Sequence, residues 1–181
     1  MLAKILFAGS GGQGVLTIGN VLANAAMLED LFVTYLPAYG AAVRGGTANC
    51  TVSISDEEIA SPVASSPDVV VSMNQPSTTR FINSLLPGGQ MIYNSSLVDT
   101  VPIRGDLEIF PVPANKLAVE LGNERSANMV MLGSFISATK LIKIDTIFES
   151  IQELMAKKKK LVDISIKAVT RGYEDFPFTE L

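Results

Sequence analysis

The sequence GSGGQG at residues 9–14 separates an apolar run from an amphipathic segment near the start of the chain. The run before it, residues 3–8 (AKILFA), has the length and composition of a buried β-strand. After it, Val15, Ile18 and Leu22 recur at the three- and four-residue spacing of one helix face. The pattern therefore predicts a strand, a glycine turn and a helix in direct succession.

The glycine turn is a candidate anion site. The first N–H groups of a helix have no partner inside the helix, and the backbone dipoles add positive charge at that end. Glycine allows both a sharp turn and the close approach of a phosphate. We therefore predict that a phosphate-bearing cofactor binds at Gly9, Gly11, Gly12, Gln13 and Gly14. The alternative is a turn that only packs the helix against the strand.

The spacing of Gly9, Gly11 and Gly14 also matches the dinucleotide-binding fingerprint. That site needs an acidic residue at the end of the second strand to bind a ribose hydroxyl. The second strand is predicted over residues 31–36 (LFVTYL), and the PAYG that follows at 37–40 has no carboxylate. These features favour a phosphate ligand other than NAD.

The composition excludes several classes of catalyst. The 181 residues are 48% hydrophobic, which predicts a single domain over residues 1–181. One cysteine and no histidine exclude an internal disulfide, an iron–sulfur cluster held by this chain alone, and Ser-His-Asp or Cys-His catalysis. A ligand-binding loop without the usual catalytic groups indicates a binding module or one part of a larger enzyme.

The charge and hydropathy of the chain bear on its partners and its location. A net charge of −4 without a basic stripe argues against a nucleic-acid partner. We find no apolar run long enough to span a membrane and no signal-like start, so we expect no membrane partner and a cytoplasmic protein.

Further strands are predicted where apolar segments end in polar residues. These segments are residues 69–73, 90–93 and 107–112, while the alternating segment 47–55 predicts a half-exposed strand. Together they predict an α/β fold, a doubly wound and mostly parallel open sheet with a Rossmann-like glycine loop after the first strand.

Two asparagines, Asn74 and Asn94, stand at the predicted ends of strands. Because the carboxyl ends of parallel strands line the ligand crevice, we expect both amides near the glycine turn. Each amide could equally cap the helix that follows it. Arg44, in the loop after the second strand, can present its guanidinium to a phosphate, with a plain surface arginine as the alternative.

Three features in the last third of the sequence are interpreted as structural. The segment 129–142 is apolar on more than one side, and its small residues favour a helix at an interface over one in the core. The lysines at 157–160 are interpreted as the solvated end of the helix before them. Asp163 is expected to cap the last helix.

Five strings, in order along the chain, carry a resemblance to a known family. They are the loop 9–14, YG at 39–40 with RGGTANC at 44–50, MNQP at 73–76, YNSS at 93–96, and LGN at 121–123 with Arg125 and ANMV at 127–130. The chain thus resembles the gamma subunit, or gamma domain, of the 2-oxoacid:ferredoxin oxidoreductases.

The resemblance implies a complex that decarboxylates a 2-oxoacid on thiamine diphosphate, passes two electrons through iron–sulfur clusters to ferredoxin, and releases an acyl-coenzyme A. It implies that thiamine diphosphate and the clusters lie on alpha and beta subunits, with a ferredoxin-like delta subunit as a further candidate. By resemblance, 2-oxoglutarate is the expected substrate.

For this chain, the resemblance implies coenzyme A binding and closure of the active site, with no catalytic residue. We hypothesise that the glycine turn takes a phosphate of coenzyme A, that Arg44 offers a charged contact, and that Asn74 and Asn94 line the approach for the thiol arm. Two alternatives stay open: a free-standing protein that binds NAD or a flavin, and a purely structural subunit.

Overall fold

The computed structural model describes residues 1–39, 46–60 and 66–178, with only the backbone of Tyr39. Six strands are present in these residues: β1 (Leu2–Ser10), β2 (Phe32–Tyr39), β3 (Thr47–Ser55), β4 (Val69–Ser72), β5 (Gln90–Asn94) and β6 (Glu108–Val112). The α-helices are α1 (Val15–Leu28), α2 (Gln75–Phe81), α3 (Ala114–Glu120), α4 (Ala127–Thr139), α5 (Ile144–Leu154) and α6 (Lys159–Glu174). Short 3₁₀ helices span Ile82–Ser84 and Glu124–Ser126.

The strands form one open sheet in the order β2-β3-β1-β4-β5-β6. Strands β1, β4, β5 and β6 pair in parallel, whereas β3 lies antiparallel to both β1 and β2. Residues 40–46 join β2 to β3, and so short a connection suits an antiparallel pair better than a parallel crossover. The predicted α/β fold with a mostly parallel open sheet is confirmed.

Helices cover both faces of the sheet. On one face, Ile5 and Phe7 of β1 share a buried cluster with α1, α4, α5 and α6. On the other face, Leu6 packs in a smaller cluster with Ile82 and Leu85, beside α2. The alternation of Ile5, Leu6 and Phe7 between two cores is the period-two pattern of a strand that is buried on both sides.

Helices α4 and α6 cross at a contact between two glycines. A Cβ added to Gly133 would lie 2.0 Å from the carbonyl oxygen of Val169, and one added to Gly172 would lie 2.0 Å from that of Val130. The hydroxyl of Ser134 donates to the carbonyl oxygens of Val130 and Gly172, at 3.1 Å each. The two backbones can approach this closely only because neither glycine has a side chain.

The prediction that α4 lies at an interface is wrong. Residues 127–136 are all buried within this chain, between the sheet and α6. A helix enclosed on several sides needs apolar residues on several sides, which is the pattern that the sequence shows.

The prediction that Asp163 caps α6 is also wrong, because α6 already begins at Lys159. The lysines at 157–160 are exposed to solvent, as predicted, but they do not form the end of α5, which ends at Leu154. They connect α5 to α6, and the last two form the start of α6. Separately, no helix in the described residues is long and apolar enough to cross a membrane.

Candidate functional site

The glycine loop, residues 9–14, leads from the end of β1 to the start of α1. Gly14 is the N-cap of α1 and has a φ of 73°, and Gly12 has a φ of 97°. These values lie in the left-handed region, where glycine is favoured. No side chain caps α1 and its first turn has no acidic residue, so the positive end of this helix is not neutralised by its own residues.

The side chain of Gln13 folds back onto the loop. Its Oε1 accepts hydrogen bonds from the backbone N–H of Ser10 at 2.7 Å and from Nδ2 of Asn74 at 2.7 Å. A Cβ on Gly9 would lie 2.8 Å from the same oxygen and 3.0 Å from the Cβ of Met73. Because Gly9 has no side chain, the side chain of Gln13 has space to connect the end of β1 with the residues that follow β4.

Asn74 holds both the glycine loop and the start of α2. Its Oδ1 accepts from the N–H of Ser77 at 3.0 Å, which caps α2. Its Nδ2 donates to the hydroxyl of Ser10 at 2.8 Å as well as to Gln13. The structure thus places Asn74 beside the loop, as expected, with its amide already engaged in positioning the loop.

Asn94 is fully buried, and protein groups occupy its amide. Its Nδ2 donates to the carbonyl oxygen of Met73 at 3.3 Å and to Oδ1 of Asn115 at 2.7 Å. Its Oδ1 accepts from the N–H groups of Ser96 and Ala114, at 3.2 Å each. The side chain therefore fixes the chain after β4 relative to the start of α3.

A cleft of about 190 Å³ opens beside the glycine loop. Its walls are formed by Gly12, Gln13, Met73, Asn115, Glu124, Arg125, Ala127 and Asn128. Typical ligand pockets are roughly 300–1,000 Å³, so this cleft can hold part of an extended ligand but not all of it.

Two sides of the cleft differ in character. On the loop side, a Cβ on Gly12 would meet no described atom within 4 Å, so the backbone there is open to a ligand. On the other side, the exposed Arg125 forms no ion pair with a described residue. Asn128 supports the loop, since its Nδ2 donates to the carbonyl oxygen of Gly14 at 3.2 Å.

The sequence did not identify three of these residues as site residues. Arg125 and Asn128 were noted only as parts of the strings that carry the family resemblance. Asn115 gave no signal, because it lies inside a helix whose other residues set the pattern. Arg44 lies outside the described residues, although Gly46, which follows that gap, accepts a hydrogen bond from the N–H of Gly11 at 2.9 Å.

The single cysteine, Cys50, is buried under α1 and takes no part in this site. Its Sγ donates to the carbonyl oxygen of Val15 at 3.4 Å, and burial raises its pKa to about 12. A thiol held neutral in this way is a poor metal ligand. Among the described residues, no cluster of three or more histidine, cysteine, aspartate or glutamate side chains could hold a metal ion.

The arrangement is suited to binding an anion. The lining residues include the open backbone at Gly12, the amide side chains of Asn115 and Asn128 and the guanidinium of Arg125, and Glu124 is the carboxylate among them. Backbone N–H groups at a helix start and an arginine together favour a phosphate or a carboxylate.

A family model described as pyruvate ferredoxin/flavodoxin oxidoreductase matches residues 4–175. The chain is 38% identical to the ketoisovalerate oxidoreductase subunit VorA of Methanothermobacter thermautotrophicus over 173 residues, which cover 94% of this chain and 36% of VorA. It is 36% identical to the 2-oxoglutarate synthase subunit KorC of Methanothermobacter marburgensis over 159 residues, covering 84% and 86% of the two chains. The chain thus spans about a third of the length of VorA.

Solved structures share the fold. A gamma subunit of a keto/oxoacid ferredoxin oxidoreductase from Geobacter sulfurreducens superposes with a TM-score of 0.81 at 25% identity, covering 95% of this chain and 96% of that one. A chain of the 2-oxoglutarate:ferredoxin oxidoreductase from Magnetococcus marinus, with 2-oxoglutarate, coenzyme A and succinyl-CoA bound, gives 0.86 at 26% identity, covering 94% of this chain and 30% of that one. The family that the five strings predicted is confirmed.

Proposed function

The chain belongs to the pyruvate ferredoxin/flavodoxin oxidoreductase family, and we propose that it is the gamma subunit of a 2-oxoacid:ferredoxin oxidoreductase and binds coenzyme A there. In this proposal the complex oxidatively decarboxylates a 2-oxoacid, transfers the electrons to ferredoxin and releases an acyl-coenzyme A. The complex is cytoplasmic, and its alpha and beta subunits, with a delta subunit where one is present, hold thiamine diphosphate and the iron–sulfur clusters.

The proposal is carried by the glycine loop beside a cleft in which Arg125 forms no ion pair with a described residue. Coenzyme A has three phosphates and a long thiol arm, and a helix start with an open glycine backbone is suited to one of those phosphates. The chain of the Magnetococcus marinus enzyme that shares this fold comes from a structure with coenzyme A bound, which supports the same ligand class here.

We assign roles to the residues according to what they can reach. The backbone N–H groups of Gly12 and Gly14 bind a phosphate, and Arg125 adds positive charge beside it. Arg44, which lies outside the described residues, is retained as a further charged contact. Gln13, Asn74 and Asn94 act by holding the loop and the ends of β4 and β5 in place, because their own amides are engaged within the protein.

The thiol arm extends through the cleft between Met73 and Asn115 toward the partner subunits. In this proposal the chain makes and breaks no bond. It would orient coenzyme A so that its thiol faces the partner subunits, where bound thiamine diphosphate would supply the chemistry of decarboxylation.

The 2-oxoacid that we propose is 2-oxoglutarate, in line with the KorC relatives, while other relatives are named for ketoisovalerate and indolepyruvate. Substrate choice depends mainly on the other chains of such a complex, so the described residues of this chain do not discriminate between these acids.

A pair of valine variants tests the coenzyme A site. Gly12→Val fills the open space beside the loop and strains a φ of 97°, so the KM for coenzyme A of the assembled complex should rise by at least about tenfold. Gly88→Val is the matched control, because Gly88 has a φ of 79° and equally open surroundings at the opposite end of the sheet.

The outcomes separate the alternatives. A raised KM for coenzyme A in Gly12→Val alone, with the KM for the 2-oxoacid unchanged, supports the proposal. An unchanged KM in both variants contradicts coenzyme A binding at this loop and favours a structural subunit. Binding of NAD or a flavin by the purified wild-type chain, measured by calorimetry, would favour a free-standing nucleotide-binding protein.

A further inference from the structure

A second and larger cavity lies along α1, starting two residues after the glycine loop. This cavity, which we call the α1 groove, has a volume of about 880 Å³, within the usual range for a small-molecule site. Leu16, Thr17, Asn20, Val21 and Tyr35 line one wall, and the other wall is formed by residues 153–158 and Leu161.

The groove opens at the same end of the sheet as the glycine loop. Helix α5 runs antiparallel to α1: the backbone N–H of Lys143, before α5, donates to Glu29, after α1, at 2.9 Å. Further along, the hydroxyl of Ser150 donates to the carbonyl oxygen of Val21 at 2.9 Å. The end of α5 and the lysines after it therefore lie beside the start of α1, where the glycine loop is.

The walls of the groove present apolar surface that the chain leaves open. Leu154 and Leu161 are 43% and 38% exposed. The hydroxyl of Tyr35 donates to the carbonyl oxygen of Leu16 at 3.1 Å, which fixes the ring at the wall of the groove. A rigid aromatic side chain next to exposed leucines is suited to a flat, apolar group such as a nucleobase.

Positive charge gathers at one rim of the groove. Lys157 and Lys158 line it, Lys158 is the N-cap of α6, and the first turn of α6 has no acidic residue. None of the lysines at 157–160 forms an ion pair with a described residue. Cations at a helix start are unfavourable, because the backbone dipoles already make that end positive, and a bound anion would offset this repulsion.

Two carboxylates lie near these lysines. Glu153 lines the groove, and its Oε2 accepts a hydrogen bond from Nδ2 of Asn24 at 3.0 Å, on the α1 side. Asp163 lies one turn into α6 and is exposed. The lysines therefore outnumber the carboxylates around the rim, and the local charge favours an anion.

We propose that the α1 groove binds the adenosine end of coenzyme A, with the adenine between Tyr35 and the leucines and the 3′-phosphate at Lys157 and Lys158. This assignment rests on the proposed function. The diphosphate of the same molecule lies at the glycine loop. An α-helix rises about 1.5 Å per residue, so Asn20 is only about 9 Å along the axis from Gly14, a distance that the ribose and its base span.

The test compares coenzyme A with 3′-dephospho-coenzyme A, which lacks only the phosphate assigned to the lysines. In the assembled complex, Lys157→Glu with Lys158→Glu should raise the KM for coenzyme A about tenfold, because charge-assisted contacts to the phosphate become repulsive. The KM for dephospho-coenzyme A should stay within about twofold of the wild-type value, since that molecule has no 3′-phosphate to repel. Lys143→Glu with Lys167→Glu is the control of equal charge change, since both lysines are exposed outside the groove.

Each outcome distinguishes this inference from the proposed function. If Gly12→Val raises the KM for coenzyme A but the lysine variant leaves it unchanged, or affects both substrates equally, the groove assignment is wrong and the coenzyme A site stands. If neither variant changes that KM, both are wrong. If the lysine variant loses its partner subunits on gel filtration, the groove is a subunit contact and the inference is overturned.

Lys157→Ala with Lys158→Ala repeats the test without reversing charge.

Discussion

The Nδ2 of Asn74 donates a hydrogen bond to Oε1 of Gln13 at 2.7 Å, and this contact joins the end of β4 to the glycine loop. The same oxygen accepts from the backbone N–H of Ser10. Because Gln13 and Asn74 sit 61 residues apart, the shape of the loop depends on the assembled sheet as well as on its own glycines. The anion site is therefore formed before a ligand arrives.

Two substitutions of Asn74 should measure separately how much the cap of α2 and the hydrogen bond to Gln13 contribute to stability. Asn74→Ala removes the cap of α2 and the donor to the loop, so the free energy of unfolding should fall by about 2–3 kcal/mol. Asn74→Asp keeps an oxygen that can cap α2 and should lose only about 1–2 kcal/mol. Urea unfolding followed by circular dichroism measures both values, and equal losses would show that the bond to Gln13 contributes nothing.

The crossing of α4 and α6 should be intolerant of even one methyl group. Gly133→Ala and Gly172→Ala each force a Cβ against a carbonyl oxygen, so each should lower the free energy of unfolding by about 3 kcal/mol or more. Gly105→Ala is the control, because a Cβ there meets no described atom within 4 Å. The double glycine variant should lose less than the sum of the single losses, since both relieve their clash by the same helix separation.

Arg125 should matter for ligand binding and not for folding. Its side chain is exposed and makes no ion pair with a described residue, so Arg125→Ala should leave the free energy of unfolding within about 0.5 kcal/mol of the wild-type value. The KM for coenzyme A should rise about tenfold through loss of a charged contact, with partial recovery in Arg125→Lys. Steady-state kinetics of the complex gives the KM, and Arg80→Ala serves as a surface-arginine control.

The buried thiol predicts a dependence of stability on pH. Burial raises the pKa of Cys50 to about 12 from an ordinary value of 9.0. Above pH 9 the unfolded chain releases this proton while the folded chain keeps it, so the free energy of unfolding should fall by up to about 1.4 kcal/mol per pH unit through this group. Below pH 9 the thiol is neutral in both states and contributes no dependence.

Comparison with Cys50→Ala isolates this contribution. Lysines and tyrosines also titrate above pH 9, but they do so in both proteins. The difference in unfolding free energy between wild type and Cys50→Ala should therefore shrink as the pH rises from 9 to 11. A constant difference would mean that Cys50 is not desolvated in the folded protein.

The strands of this fold were predictable because each is an apolar run or an alternating segment bounded by polar or glycine residues. The segment 47–55 was predicted with the bounds that β3 has, and the glycine turn leads into α1 as its spacing indicates. The reversal of β3 between β2 and β1 was not predictable, because a local pattern specifies a strand and not its neighbours. The position of α4 was misjudged because a core helix and an interface helix have the same apolar pattern.

The candidate site was predictable in its location and less so in its detail. Asn74 and Asn94 do stand at the carboxyl ends of neighbouring parallel strands, near the glycine loop. Which groups their amides contact depends on backbone N–H groups and side chains from distant parts of the chain. Arg125 joins the cleft because the 3₁₀ helix before α4 lies across from the glycine loop in the folded chain, a tertiary arrangement that no local sequence pattern specifies.

Gentle affinity purification of this chain from the cells that produce it, without exposure to oxygen, tests the account most directly. We predict that chains carrying thiamine diphosphate and iron–sulfur clusters co-purify, and that the eluate reduces ferredoxin only when both a 2-oxoacid and coenzyme A are supplied. Recovery of the chain alone, with a bound nucleotide or with no ligand and no such activity, would contradict its assignment as a gamma subunit.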